Sequence, residues 1–359
     1  MGASIAVMAG GTGGHVFPAL AVAERLREQG DEVFWIGTRR GMEADLVPRR
    51  GFAMEWITIE GLRGKGVAQL AKAPFRLTAA LWQVAGILRR RKPGVVLGMG
   101  GFAAGPGGLM ARALGIPLVI HEQNCVPGLT NQWLARIATR VFEAFPGSFP
   151  ADRGAVVCGN PVRSDIIALT PPAERLRGRS GRRRLLILGG SLGAKVLNQM
   201  VPRALARLPA HDRPLVRHQA GQRTLAEAEA GYRSAGVEAE ITPFIEDMAA
   251  AYAWADFVIC RAGALTVSEL AAAGIGSLLV PFPFAVDDHQ VGNGRFLSDA
   301  GAALLMIQKD LSVDTLAAAL GDLLTNPGRL LAMAEAARAK AETAAVERIA
   351  AACRELHRA

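Results

Sequence analysis

A glycine-rich turn carrying a histidine stands near the start of the chain and is the first candidate for chemistry. Residues 8–20 read MAGGTGGHVFPAL, so that Thr12, Gly13 and Gly14 immediately precede His15. The turn has no lysine for a Walker A loop. Its glycine spacing does not fit a dinucleotide fingerprint, and no acid follows the second strand. What remains is a turn of backbone amides at a helix N-terminus, which suits an anion. His15 can act there as a general base, or it can simply cap the helix.

The second half of the chain repeats this arrangement. GGSLGA at 189–194 places Ser191 in another glycine-rich turn between an apolar run and a helical pattern. In CRAGALTVSEL, Gly263 allows a tight turn, and the helix that follows offers backbone amides and the Thr266 hydroxyl to a diphosphate. Glu269 can accept hydrogen bonds from sugar hydroxyls, or it can be an ordinary first-turn acid favoured by the helix dipole.

A third polar turn, DDHQ at 287–290, follows the apolar run LLVPFPF and offers hydrogen-bonding groups for a polyol. The chain contains no DxD triplet, so a dedicated metal clamp for a nucleotide diphosphate is not evident. The four cysteines are far apart and include no CxxC pair, which disfavours structural zinc and a disulfide framework. We therefore expect neither a metal nor a cofactor.

Strands that alternate with helices must hold these turns in place. SIAVMA, EVFWIG, VVLGMGG and PLVIHEQN predict strands in the first half, with the first helix beginning near Pro18 and ending at Gly30. The pattern restarts at RLLILGG, after a Pro-, Gly- and Arg-rich stretch at 163–184 that we interpret as a link, or alternatively as a surface loop of a single domain. This pattern predicts an α/β fold with two Rossmann-like, doubly wound domains and a ligand cleft between them.

The predicted domain limits follow from that link. We expect an N-terminal domain over 1–163 and a C-terminal domain over 164–340. Residues 341–359 should form a C-terminal helix that packs back on the N-terminal domain.

The composition and charge of the chain indicate which kinds of molecule it could bind. The 359 residues are 50% apolar and 20% charged, with a net charge of +9. No acidic residue occurs between Glu60 and Glu122, so one face of the first half should be strongly positive. No aromatic platform or nucleic-acid motif accompanies these basic residues, and we do not expect nucleic acid as a partner. The apolar runs at 94–111 and 270–286 are broken by Gly and Pro, and neither they nor the N-terminus reads as a membrane span or a secretory signal.

The motifs taken together resemble the MurG family, the UDP-N-acetylglucosamine:lipid I N-acetylglucosaminyltransferases of bacterial peptidoglycan synthesis. The resemblance rests on GGTGGHVFPALAVA, MEADLVP, GLRGKG, VVLGMGG, GPGGLMA, HEQN, GLTN, GNPVR, GGSLGA, EDMAAAYAWAD, CRAGALTVSEL and DDHQ, which occur in the family's order. It implies a GT-B fold and an inverting, metal-independent transfer of GlcNAc from UDP-GlcNAc to the C4 hydroxyl of MurNAc in lipid I. It also implies a peripheral enzyme at the cytoplasmic face of the inner membrane.

The resemblance also assigns roles to residues. Thr12, Gly13 and Gly14 would line the cleft, and His15 would be the general base, with Glu122 as the alternative. Ile245 would contact uracil, Glu269 the ribose and Gln290 the GlcNAc hydroxyls. The remaining donor-binding residues would be Asn124, Arg163, Ser191, Ala264, Leu265, Thr266, Val267 and Ser268. Two departures are visible, since Leu192 stands where many relatives have Gln, and VGNG follows DDHQ where many have Asn-Ala.

A lipid acceptor requires contact with a membrane surface. The segment KAPFRLTAALWQVAGILRRRKP at 72–93 is amphipathic, and we expect Phe75 and Trp82 to insert while Lys72, Arg76 and Arg89 face anionic headgroups. The alternative is that its apolar stripe at 77, 81, 84 and 88 is ordinary core packing.

Three other functions are compatible with these patterns. The chain could be a GT-B glycosyltransferase acting on a diacylglycerol, a UDP-GlcNAc 2-epimerase, or a non-enzymatic protein that binds a nucleotide sugar or a polyprenyl phosphate. A UDP-GlcNAc hydrolysis and transfer assay separates all of them.

Overall fold

The computed structural model describes residues 2–59, 73–190, 193–285 and 288–358. The chain forms two compact units, unit 1 from Met1–Val162 with Thr343–Ala359 and unit 2 from Arg163–Glu342. Several features named above lie outside the described residues, namely the GLRGKG motif, Lys72, Ser191, Leu192 and Asp287.

Unit 1 is built on a parallel sheet whose strands are ordered β3-β2-β1-β4-β5-β6-β7. The strands are Ser4–Met8 (β1), Glu32–Gly37 (β2), Ala53–Trp56 (β3), Val95–Gly98 (β4), Leu118–Glu122 (β5), Arg140–Glu143 (β6) and Val156–Val157 (β7). The described helices between them are Gly13–Glu28 (α1), Glu43–Arg49 (α2), Ala73–Arg91 (α3), Ala104–Ala113 (α4) and Leu129–Leu134 (α5).

Unit 2 repeats this architecture with a parallel sheet ordered β10-β9-β8-β11-β12-β13. Its strands are Arg184–Leu188 (β8), Leu215–Gln219 (β9), Glu240–Thr242 (β10), Phe257–Cys260 (β11), Ser277–Leu279 (β12) and Ala303–Leu305 (β13). Its described helices are Ser164–Ile167 (α6), Pro172–Arg175 (α7), Lys195–Ala206 (α8), Leu225–Ala235 (α9), Met248–Trp254 (α10), Ala264–Ala273 (α11), His289–Ser298 (α12), Val313–Leu324 (α13) and Pro327–Ala339 (α14).

Each glycine-rich turn follows the strand at which the order of strand addition reverses, β1 in unit 1 and β8 in unit 2. In unit 1, β1 lies between β2 and β4, and Met8 at its end pairs with Gly98. In unit 2, β8 lies between β9 and β11, and Leu188 pairs with Cys260. Ligands of open α/β sheets bind at the carboxyl ends of the strands at such a switch point. The predicted α/β fold with two Rossmann-like, doubly wound domains is confirmed.

The prediction that the first helix begins near Pro18 is wrong by more than a turn. The helix begins at Gly13, after Thr12 as the N-cap residue, and Pro18 lies inside it. Proline inside a helix lacks only its own amide donor and crowds the carbonyl one turn earlier. Here that carbonyl belongs to Gly14, so α1 accommodates the proline with one intrahelical hydrogen bond fewer.

The Arg-rich stretch at 163–184 belongs to unit 2. Arg175 donates to the carbonyls of Ala273 and Gly274 at the end of α11. Arg179 donates to three successive carbonyls at 253–255 and pairs with Asp256. These two arginines therefore attach the stretch to the rest of unit 2.

Helix α15, Ala345–Arg358, packs in unit 1 against α1 and β4. Its buried face includes Ile349 and Cys353, which join the core that covers one side of the sheet. Arg354 on this helix lies 3.2 Å from Asp31, and Asp31 accepts a hydrogen bond from the Ala3 amide at 2.9 Å.

Helix α3 carries one buried face and one exposed face. Ala80, Val84 and Leu88 are buried, and Val84 and Leu88 belong to a core that covers one side of the sheet. Phe75 is 79% exposed and Trp82 72% exposed. Among the residues that the structure describes, no helix combines the length and the apolar character that crossing a bilayer requires.

Candidate functional site

The first glycine-rich turn is held by a carboxylate that the sequence did not single out. Glu43 at the start of α2 is fully buried, and its Oε2 accepts a hydrogen bond from the Gly11 amide at 2.9 Å. Its Oε1 accepts from the Thr38 amide at 3.1 Å and from the Thr38 hydroxyl at 2.7 Å. A Cβ at Gly10 would lie 2.6 Å from the same carboxylate. The Gly11 amide already donates to the Glu43 carboxylate, so it is not free to bind a second anion. The negative charge of the carboxylate would also repel such an anion.

His15 lies in the first turn of α1 and is half-buried. Its Nδ1 is 2.8 Å from Oε1 of Gln123, which follows β5. Gln123 Nε2 is in turn 3.0 Å from Nδ1 of His121, and His121 Nε2 is 2.9 Å from the Gly159 carbonyl oxygen. These four residues form a continuous hydrogen-bonded chain, which we call the His15 chain. It connects the GGTGGH, HEQN and GNPVR motifs inside unit 1.

The loop after β4 packs against the imidazole of His15. A Cβ built on Gly100 would lie 2.6 Å from His15 Nδ1 and 2.8 Å from its Cε1. Gly100 has a φ of +93°, a conformation that disfavours any other residue. The glycines of VVLGMGG therefore leave the space in which the ring sits.

Glu122, the alternative general base, makes hydrogen bonds with the segment that follows it in the chain. The carboxylate is buried and accepts four hydrogen bonds. Its Oε1 receives the amide and the side chain of Asn124 at 2.9 and 3.2 Å. Its Oε2 receives the Gly128 amide at 3.2 Å and the Asn131 side chain at 2.9 Å. With both oxygens occupied by donors of its own loop, Glu122 is poorly placed to take a proton from a substrate, and Asn124 is oriented by it.

The second glycine-rich turn, in unit 2, is held by a neutral side chain instead. Gln219 at the end of β9 accepts from the Gly190 amide through Oε1 at 2.9 Å. Its Nε2 donates to the carbonyls of Gly190 and Pro243, each at 3.0 Å. Ile245 follows two residues after Pro243 and is half-buried. Gln219 thus ties the turn to the loop of Ile245 without placing a charge beneath it.

Helix α11 begins where the second sheet ends. Gly263 is the N-cap residue of this helix. The Val267 amide donates to the Gly263 carbonyl at 2.9 Å and so makes the hydrogen bond of the first helical turn. The backbone of the first turn therefore directs amides along the helix axis toward the carboxyl edge of the sheet. Ala264, Leu265 and Thr266 form that turn, and Val267 and Ser268 continue it.

Glu269 lies one turn further along α11 and is strongly perturbed. Burial raises the pKa of its carboxyl to about 7, although the hydrogen bond from Tyr252 and the positive charge of Arg163 both act to lower it. The Tyr252 hydroxyl donates to Oε2 at 3.0 Å. Arg163 is exposed and lies 3.8 Å from Asp165. Unit 2 therefore brings Arg163 and Glu269, two predicted donor contacts, into electrostatic contact.

Gln290 lies in the first turn of α12 and closes the same edge of unit 2. Its Oε1 accepts a hydrogen bond from the Phe282 amide, in the loop after β12, at 2.9 Å. Asp288, just before it, has a positive φ of 49°. Within the described residues, no group of three His, Cys, Asp or Glu side chains is arranged to hold a metal ion.

The predicted residues therefore form one group in each unit. Thr12, Gly13, Gly14, His15 and Asn124 lie at the carboxyl edge of the first sheet. The second sheet carries Ile245, the 264–269 segment and Gln290 at its own carboxyl edge, with Arg163 beside Glu269. Phe75, Arg76, Trp82 and Arg89 lie elsewhere, on α3.

Sequence reasoning missed the residues that support these groups. Glu43, His121, Gln123, Gln219 and Tyr252 each hold a predicted site residue or its turn. The signal for two of them was available, because side chains alternate along a strand, so His121 and Gln123 share one face while Glu122 and Asn124 share the other.

Comparison with known proteins places both units in one family. Residues 5–143 match the glycosyltransferase family 28 N-terminal domain, and residues 184–349 match the glycosyltransferase family 28 C-terminal domain. The chain is 56% identical over 356 residues, 99% of each chain, to the UDP-N-acetylglucosamine--N-acetylmuramyl-(pentapeptide) pyrophosphoryl-undecaprenol N-acetylglucosamine transferase of Nitrosococcus oceani. It is also 56% identical, over 355 residues and 99% of each chain, to the transferase of the same name from Methylococcus capsulatus.

A solved structure gives the same result. The crystal structure of Acinetobacter baumannii MurG superposes with a TM-score of 0.86 at 42% identity. The match covers 98% of this chain and 99% of that one.

Proposed function

Since the chain belongs to glycosyltransferase family 28 and, within it, to the MurG transferases, we propose that it transfers GlcNAc from UDP-GlcNAc to lipid I. The C4 hydroxyl of MurNAc attacks the anomeric carbon of GlcNAc, the bond from that carbon to the diphosphate breaks, and UDP leaves with the electron pair. The product is lipid II with a β-1,4 bond. The observation that carries the proposal is the match of both domains, in order, to transferases of this name.

We assign the donor to unit 2 because its turns suit a diphosphate. The first-turn amides of α11 and the dipole of that helix stabilise the negative charge that develops on UDP as it leaves. Gln219 holds the neighbouring turn without adding a negative charge. Ile245 then serves the uracil, Glu269 the ribose and Gln290 the GlcNAc hydroxyls, as the family resemblance implies, while Arg163 adds a positive charge beside Glu269.

Unit 1 supplies the base in this proposal. The turn at 10–14 carries the Glu43 carboxylate beneath it, which opposes a second anion there. An imidazole is suited to accept the proton of a sugar hydroxyl near neutral pH. Because Glu122 is saturated by its own loop, His15 is the base that we propose.

Transfer of labelled GlcNAc from UDP-GlcNAc to a lipid I analogue tests this function. We expect the wild type to make a β-1,4-linked product and His15→Ala to lose at least a hundredfold in kcat, since general base catalysis contributes roughly 10²–10⁴-fold. UDP binding by the variant should be unchanged. His211→Ala is the matched control, because His211 is an exposed histidine of unit 2 whose side chain is 82% accessible.

Other outcomes identify other functions. Full activity of His15→Ala would remove the histidine from the chemistry. Donor consumption without transfer to lipid I would favour an epimerase or another acceptor. Binding of UDP-GlcNAc without turnover in the presence of any acceptor would favour a binding protein.

We further propose that α3 attaches the enzyme to an anionic membrane surface, at the cytoplasmic face of the inner membrane where lipid I is met. Phe75, Trp82 and Arg89 are spaced seven residues apart, which places them on one face of the helix. The side chains of both aromatic residues are largely exposed. Arg90 and Arg91 contribute less, because both pair with Glu55, at 2.6 and 2.7 Å.

Co-sedimentation with vesicles tests this attachment. Trp82→Ser and Arg89→Glu should each weaken binding to vesicles containing phosphatidylglycerol, since a basic residue near such a surface contributes about 1 kcal/mol. Phe284→Ser is the control, because it removes an aromatic side chain of unit 2 that is 81% exposed. Binding of the α3 variants equal to that of the control would exclude this face.

A further inference from the structure

We infer that Gln123 is a positioning residue that holds neutral His15 as its Nδ1–H tautomer, leaving the Nε2 lone pair as the proton acceptor. The inference deepens the proposed function, in which His15 is the base, and rests on it. It assigns a role to a buried side chain of the HEQN motif that contacts the imidazole directly.

The direction of the His15 chain is set at its buried end. The carbonyl of Gly159 can only accept, so the His121 Nε2 at 2.9 Å must carry a hydrogen. His121 is fully buried, and this burial lowers its pKa to about 4, so the ring is neutral near pH 7. A neutral imidazole with a hydrogen on Nε2 has a lone pair on Nδ1.

That lone pair orients the amide of Gln123. The Nε2 of Gln123 donates to His121 Nδ1 at 3.0 Å and to the His121 carbonyl oxygen at 3.3 Å. Gln123 Oε1 is then the atom that faces His15, and an amide oxygen can only accept. The hydrogen in the 2.8 Å contact therefore belongs to His15 Nδ1. Each nitrogen and oxygen in the chain is thereby assigned as either a donor or an acceptor. The assignment starts from the Gly159 carbonyl, which can only accept.

The backbone around Gln123 is fixed as well. Asn160 Nδ2 donates to the Gln123 carbonyl oxygen at 3.1 Å, and Gly159 has a φ of +80°. The GNP segment therefore holds both inner members of the His15 chain, the His121 ring and the Gln123 backbone. The loop of Gly100 also lies against the Nδ1 and Cε1 edge of His15. The ring is thus packed on its Nδ1 side, the side that does not take the substrate proton.

The chain orients the base without a carboxylate. A hydroxyl proton can transfer to His15 only through a nitrogen that bears a lone pair, and the other tautomer would present Nε2–H to the substrate instead. Replacing Gln123 by Met keeps an unbranched side chain of similar length and removes the acceptor. We expect kcat to fall roughly 10- to 100-fold, as for other groups that orient a functional histidine, while KM for UDP-GlcNAc stays unchanged.

Nitrogen-15 NMR of the intact protein, labelled at its six histidines, reads the tautomer directly. The His15 resonances are identified by their loss in His15→Ala. We expect Nδ1 of neutral His15 to be the protonated, pyrrole-type nitrogen in the wild type, and to lose that character in Gln123→Met. Gln132→Met is the matched control, because Gln132 is an exposed residue of unit 1 whose side chain donates to the Pro127 carbonyl, away from the His15 chain.

Two results would overturn the inference. One is a wild-type His15 that carries its hydrogen on Nε2. The other is a Gln123→Met protein that keeps the Nδ1–H tautomer and the kcat of Gln132→Met. Because the tautomer is read without turnover, a failure of His15 as the base, seen as full activity in His15→Ala, remains distinguishable from a failure of this assignment.

Discussion

The ionisation of Glu269 should make the stability of unit 2 depend on pH. Burial raises the pKa of this carboxyl from its ordinary value of 4.5 to about 7. The folded unit therefore binds the proton more tightly than the unfolded chain between those values, and stability must fall as pH rises through that window. The favourable contribution of the protonated form is complete below pH 4.5 and is lost once pH passes about 7.

The magnitude follows from the width of that window. Each pH unit corresponds to about 1.4 kcal/mol, so ionised Glu269 destabilises the fold by about 3 kcal/mol at pH 8. For a domain of this size, 1 kcal/mol moves Tm by roughly 2–4 °C. About 2.5 kcal/mol of this loss falls between pH 5 and pH 8. The Tm of Glu269→Gln, which cannot ionise, should therefore rise relative to that of the wild type by roughly 5–10 °C over this pH range.

Differential scanning calorimetry of the ligand-free protein measures this difference. Comparing the two proteins at each pH cancels the titration of all groups that they share. Glu229→Gln serves as the control, because Glu229 is exposed on α9 and should track the wild type at every pH. If the Tm difference between Glu269→Gln and the wild type stayed constant within about 1 °C from pH 5 to pH 8, the carboxyl would be ionising as it does in water, and the argument from burial would fail.

Three further predictions concern unit 1. Glu43→Gln should lower Tm by roughly 4–12 °C, because a charge-assisted acceptor of buried donors is worth about 2–3 kcal/mol. Calorimetry should show no comparable change for Asp45→Asn, an exposed neighbour on α2. Ile349→Ala should cost about 3 kcal/mol of unfolding free energy, measured by urea denaturation, because its side chain is fully buried in the core. Gly100→Ala should reduce kcat at least tenfold in the transferase assay while UDP binding persists, because a Cβ there overlaps the imidazole of His15; wild-type kcat would contradict that packing.

The sheets were predictable because their central strands, such as β4, β5 and β11, are short apolar runs buried on both faces, as parallel strands are. EVFWIG coincides with β2 to the residue, and both glycine-rich turns follow strands as expected. The start of α1 was not predictable from Pro18 alone, since proline suits the first turn of a helix but α1 carries it inside.

The supporting residues of the site were harder to predict for a different reason. Glu43 contacts Gly11 across 32 residues, and Gln123 contacts His15 across 108. Such contacts depend on which strands lie side by side, and local patterns carry no record of that order. The carbonyl partners of Arg175 and Arg179 likewise lie far along the chain.

The position of α15 bears on how the nascent chain folds. Unit 1 is completed by a helix that the ribosome makes only after all of unit 2. At 5–20 residues per second, roughly 10–40 s separate the synthesis of the first 162 residues from that of α15. During this interval the apolar face of α1 that later packs against Ile349 is exposed to solvent. We therefore expect unit 2 to reach its native state first during translation, with unit 1 held as an open, chaperone-accessible intermediate until α15 arrives.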